Sequence, residues 1–131
     1  MKKLQFLVCM FCLAILSCNE SDEKNYNALE GEWNLIKISG GFSPENLDIP
    51  EGLITYDFNT QQNKVTIHNN SELLYPVSGV YPYTVDLAPD SGMCTKTITI
   101  NNEGDYCFLL DGDTMSFDLS PVDGLRLDLK R

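Results

Sequence analysis

The sequence predicts an all-β protein, an up-and-down antiparallel β-barrel of about eight strands. Three observations point there. From about residue 29 onward, apolar residues recur at every second position in run after run, the period of a strand with one dry and one wet face. Short segments rich in Asn, Asp and Gly divide the runs at fairly regular spacing, as hairpin turns do. The alternation also persists to the last run, and closing the sheet on itself removes the exposed edges that an open sheet of this kind would leave.

The elements follow in order. "GEWNLIKI" begins the series. In "LITYDFN", Ile54, Tyr56 and Phe58 share one face, while Thr55 and Asp57 take the other. "NKVTIHN" repeats the pattern, with Val65 and Ile67 against Lys64, Thr66 and His68. "VYPYTVDL" contains Pro82, which cannot donate to a ladder, so this strand is predicted at an edge or with a bulge. "TKTITIN" sets Ile98 and Ile100 against Thr97 and Thr99, and "DYCFLL" is short and apolar. "DTMSFDL" turns Met115, Phe117 and Leu119 inward, and "GLRLDLKR" sets Leu125, Leu127 and Leu129 against Arg126, Asp128 and Lys130. "SPENLDIPEG" has room for one helical turn, and no segment carries a long helical repeat.

The residues before the barrel read differently. Met1-Lys2-Lys3 is a short basic head, and Leu4 to Leu16 is nearly unbroken apolar sequence without charge. Such a run is too short to span a bilayer and has the form of a signal-peptide core. It ends in Ile15-Leu16-Ser17-Cys18, which resembles the bacterial lipobox: an aliphatic residue, a tolerant position, a small residue and then a cysteine whose thiol is acylated. The resemblance implies a signal peptide over 1–17, a lipidated Cys18 with acyl chains such as palmitate, and membrane attachment through that anchor. A polar, acidic, flexible tether over 18–28 and a barrel domain over 29–131 are then expected.

Removing residues 1–17 takes away Lys2 and Lys3 and none of the 19 acidic residues, so the formal charge becomes 7 − 19 = −12. A body this acidic repels nucleic acid, which excludes that class of partner. The acidic residues after Cys18, namely Glu20, Asp22 and Glu23, resemble the acid-rich export signal that sends lipoproteins to the outer face of the outer membrane. The expected location is therefore the outer membrane, with the cell surface favoured over the periplasmic face.

Near the start of the barrel, "LEGEWNLIKISGGF" carries a Gly-x-Trp pattern in Gly31 and Trp33. Together with "GLITYDFN" and the ending "LDGDTMSFDLSPVDGLRLDLKR", it resembles the small lipocalin-like (calycin) lipoproteins of the Bacteroidetes type. The resemblance implies that Trp33 packs across the closed end of the barrel under an arginine from a late strand. Arg126 and Arg131 are both candidates for that arginine. It implies a fold more than an activity.

The chemistry-bearing residues point to binding rather than catalysis. His68 is the single histidine and has no partners at the spacing of a triad or a zinc site. Asp111, Asp113, Asp118 and Asp123 cluster at strand ends, but they lack EF-hand spacing and match hairpin chemistry. No metal, cofactor or catalytic residue is expected, and the chain is read as a non-enzyme. "DTM", Asp113 to Met115, resembles a short acceptor motif for O-glycosylation at Thr114. The aromatic set Tyr56, Phe58, Tyr75, Tyr81, Tyr83, Tyr106, Phe108 and Phe117 suits either core packing or a ligand cavity, with Phe42, Tyr81 and Tyr83 placed near an open end.

Cys94 and Cys107 remain once Cys9, Cys12 and Cys18 are accounted for. An oxidising compartment argues for a disulfide between them. Register argues against it. If "NNEGD" is a hairpin loop, Ile100 faces Tyr106 and Cys107 faces Thr99, five strand residues from Cys94. That is about 16 Å, whereas a bridge needs Cα atoms within roughly 7 Å.

The functional expectation is a lipid-anchored envelope binding module that holds a small apolar ligand or a protein partner without covalent chemistry. The competing expectation is a structural or interaction lipoprotein, or a protease-inhibitor-like barrel with no internal ligand.

Overall fold

In the computed structural model, residues 26–41, 46–88, 94–119 and 123–131 are described. The strands are β1 (Gly31–Gly40), β2 (Leu47–Asp48), β3 (Ile54–Asn59), β4 (Lys64–Asn69), β5 (Gly79–Leu87), β6 (Lys96–Ile100), β7 (Glu103–Asp111), β8 (Thr114–Asp118) and β9 (Leu125–Lys130). Strands β1 and β3 to β9 pair antiparallel in chain order, and β1 also pairs with β9, which closes an eight-stranded up-and-down barrel. The alternating runs are these eight strands. β2 is the addition: "SPENLDIPEG" does not supply a helical turn at Leu47 and Asp48, which are extended and pair with Ile38 and Lys37 of β1.

Two irregularities make the ring close. In β1 the register against β9 shifts between Leu35 and Lys37. Leu35 faces Leu129 and, beyond the bulge, Ile38 faces Leu127, so inward residues match on both sides of the shift. The second lies at the β6–β7 hairpin. Its turn is only Asn101-Asn102, both in the left-handed region, and Ile100 faces Glu103 rather than Tyr106. A bulge at Gly104 (φ 61°) follows, where the backbone needs positive φ.

That bulge settles the cysteines. Cys107 faces Thr97, not Thr99, which carries it two residues closer to Cys94 than a five-residue loop would. Cys94 lies before the strand, past a bend at Thr95, and the two cysteines form a disulfide with Cα atoms 5.6 Å apart. Cys107 has the parity opposite to Tyr106, Phe108 and Leu110, so the bridge fastens the β5–β6 connection to the outside of β7.

Pro82 is not on an edge strand, because the ring has none. It sits where β5 passes from pairing with β4 (Gly79 to Pro82) to pairing with β6 (Tyr83 to Leu87).

One end of the barrel is plugged. A single-turn 3-10 helix, Tyr26–Leu29, folds under it, so packing begins within the stretch read as tether. Gly31 opens β1 at φ 100°, a conformation that favours glycine. Two residues on, Trp33 is completely buried and its indole N–H donates to the Leu29 carbonyl at 2.9 Å. The Arg131 guanidinium lies 4.3 Å from the Trp33 ring centroid and donates to the carbonyls of Ala28 and Glu30. The stacking arginine is therefore Arg131, not Arg126. The reason is parity: Arg131 continues the inward series Leu127 and Leu129, whereas Arg126 shares the outward series with Asp128 and pairs there with Asp118 and Asp128.

Candidate ligand cavity at the open end

The inward residues form a continuous core, and Phe117 of β8 is its hub. The rings of Tyr56, Phe58, Tyr106 and Phe108 all have centroids within 6.4 Å of that of Phe117. Toward the plugged end the core is filled. Toward the opposite end it opens into a cavity of about 210 Å³.

Seven strands contribute to the cavity wall. Tyr56, Ile67, Tyr81, Ile100, Tyr106, Phe117 and Leu127 come one each from β3 to β9. The mouth is bounded by Asn101 and Glu103 at the β6–β7 hairpin and by Tyr75, Pro76 and Val77 of the loop between β4 and β5.

That loop is built by Asn69, the last residue of β4. Its amide nitrogen donates to the carbonyls of Leu73 (3.0 Å) and Pro76 (2.8 Å), and its amide oxygen accepts from the backbone and hydroxyl of Ser71. An Asn side chain folding its own downstream chain into a turn is ordinary behaviour for this residue. The Tyr81 hydroxyl donates to the Val77 carbonyl at 3.1 Å and ties the loop to β5. The Tyr75–Pro76 peptide is cis, Pro76 is buried, and the Tyr75 hydroxyl lies 3.5 Å from that of Tyr106.

The lining stays uncharged except at its rim. Burial, reinforced by the nearby Tyr75 and Tyr106, holds the Tyr56 phenol protonated well above the ordinary phenol range. Burial, the hydrogen bond with Tyr75 and the proximity of Tyr75 and Glu103 do the same for Tyr106. No Lys, Arg or His borders the cavity among the described residues, and Glu103 is the one carboxylate at its edge. The result is an apolar chamber with neutral phenols, suited to a small molecule with little or no charge.

The residues singled out in the sequence distribute unevenly. Tyr81 lines the cavity. Tyr83 does not: it packs edge-on against Phe58, with centroids 5.1 Å apart, in the filled part of the core. Tyr56, Tyr75 and Tyr106 stood in the aromatic set but were not placed near the open end, and all three line the cavity. Phe42 lies outside the described residues, as do Cys18, Glu20, Asp22 and Glu23. Thr114 begins β8, exposed, with its hydroxyl donating to the Asp111 carbonyl at 2.9 Å. His68 faces Thr55 across the β3–β4 ladder and is exposed. Among the described residues no group of three or more His, Cys, Asp or Glu side chains is arranged to hold a metal ion.

Comparison with known proteins returned no matching family model, no similar curated protein and no similar solved structure.

Proposed function

We propose that this chain is a lipid-anchored binding module of the bacterial cell envelope, lipocalin-like, which holds a small apolar molecule in its open end and performs no covalent chemistry. The observation that carries the reading is the cavity of about 210 Å³, walled by apolar side chains and neutral phenols and open to solvent beside the Asn69-built loop. A barrel of this strand number has room for one small ligand when its side chains do not fill the interior.

A ligand that binds the folded state alone raises its stability by mass action. A thermal-melt screen of the whole domain against small aromatic and alicyclic molecules, lipids and sugars tests this. The melting temperature rises with at least one apolar class. Flat melts across the screen at millimolar ligand remove the small-molecule reading.

The envelope address rests on the lipobox-like Ile15-Leu16-Ser17-Cys18 and on Glu20, Asp22 and Glu23. Metabolic labelling with a palmitate analogue is expected to mark the expressed protein and to be lost in Cys18→Ala. Replacing the three acids is expected to reduce protease access on intact cells, and unchanged access removes the export role.

A second reading, an interaction protein whose loop ends contact a protein partner, is favoured by one observation. Beside the mouth, Leu74 is 95% exposed and Tyr75 and Val77 are also exposed, an unusual amount of apolar surface for one loop. Substituting Leu74, which is exposed and does not line the cavity, by Ser separates the two readings, since partner capture is lost while cavity binding survives.

A further inference from the structure

We propose that the Tyr56 hydroxyl is the buried anchor of the cavity, hydrogen-bonding one carbonyl, amide or hydroxyl group on an uncharged, ring-sized ligand. This rests on the reading of the cavity as a small-molecule site and names the class of molecule it takes.

Tyr56 is only 2% exposed, and its ring is held from both sides, stacked 6.5 Å from Phe58 and edge-on 6.0 Å from Phe117. Such packing fixes where its hydroxyl points. Yet no described residue hydrogen-bonds that hydroxyl, and none of the described buried polar atoms sealed from solvent lacks a partner. The hydroxyl therefore reaches the cavity, of which Tyr56 is a wall. A deep, rigidly held phenol whose hydroxyl opens on an apolar chamber is placed to hydrogen-bond the polar group of a molecule that enters it. Of the three other phenols that line the cavity, Tyr81 donates to the Val77 carbonyl, and the Tyr75 and Tyr106 hydroxyls lie 3.5 Å apart across the mouth.

Size and charge narrow the class. A dry cavity of about 150 Å³ accepts benzene, so about 210 Å³ accommodates one six-membered ring with a short substituent. With Glu103 the one charged group at the rim and no cation in the wall among the described residues, an anion finds nothing to neutralise it and meets a like charge on the way in.

The test uses the whole domain and three probes of similar shape: acetophenone, ethylbenzene and benzoate, titrated by calorimetry. Tyr56→Phe removes the hydroxyl and nothing else. Acetophenone is expected to weaken by roughly two- to tenfold in the variant, ethylbenzene to bind unchanged or tighter, and benzoate to bind the native protein at least tenfold more weakly than acetophenone. Should the variant fail to fold, tyrosine labelled with ¹³C at Cζ supplies the same answer in the native protein, because acetophenone shifts the Tyr56 resonance more than ethylbenzene does. If ethylbenzene binds but acetophenone is indifferent to Tyr56→Phe and leaves the Tyr56 resonance where ethylbenzene puts it, the anchor is overturned and the cavity reading stands. Benzoate binding as tightly as acetophenone overturns the restriction to uncharged ligands. If none of the three binds at millimolar concentration, the anchor and the cavity reading fall together.

Discussion

At the plugged end of the barrel the Trp33 indole and the Arg131 guanidinium both have protein partners, whereas at the open end the buried Tyr56 phenol has none among the described residues. Trp33 fills the plugged end, its N–H satisfied by Leu29 and its face covered by Arg131, which in turn satisfies two backbone carbonyls. The open end is made from strands of the same alternation, but its aromatic residues stand around a space instead of filling it. On the function proposed above, one end serves stability and the other an occupant, so substitutions at the two ends are expected to move different quantities.

The largest effect is expected from Trp33→Ala, which empties the plug. Large-to-small changes at a buried Trp cost about 3–5 kcal/mol, to be read as a lowered urea midpoint with little change in ligand affinity. Next comes the disulfide. Replacing Cys94 and Cys107 by Ser frees a loop with a sequence separation of 13 and is expected to cost about 3 kcal/mol, reproduced in the native chain by reductant. Third is a contrast between two arginines. Arg131→Ala loses the stacking on Trp33 and two hydrogen bonds and is expected to cost about 1–2 kcal/mol. Arg126→Ala loses ion pairs of a side chain that is 41% exposed and is expected to cost less than about 1 kcal/mol. Equal costs would mean that parity does not assign the stacking role. The smallest effect is expected at the open end, where Tyr56→Phe is expected to change stability by less than about 0.5 kcal/mol, since the hydroxyl has no described protein partner to lose. A substantially larger loss would show that the ends are more alike than their hydrogen bonds indicate.

The barrel itself was legible because alternation is a local property: each run of four to eight residues announces its own two faces. What depended on one residue of register was not. Nothing in "NNEGD" distinguishes a five-residue loop from an Asn-Asn turn followed by a Gly104 bulge, and the position of Cys107 hangs on that choice. The arginine was recoverable, since Arg131 lies two residues after Leu129 on the inward series. The cavity was harder. Tyr81 and Tyr83 share a parity and both turn inward, and only the stagger of the strands around the ring decides that one reaches the open end and the other the filled core. Tyr75 lies in a loop without periodicity, and its placement follows from Asn69 folding that loop over the mouth.

The contact between Arg131 and the carbonyls of Ala28 and Glu30 also bears on chain connectivity. It brings residue 131 beside the first described residues, directly across the β1–β9 seam and at the end away from the cavity. The barrel is thus nearly a ring in sequence as well as in space. A short linker joining residue 131 to residue 26, with new ends cut in the β7–β8 turn at Gly112, should give a circular permutant that leaves every strand pairing intact. Such a permutant would retain the open end unchanged, making chain order and the cavity separable features of this fold.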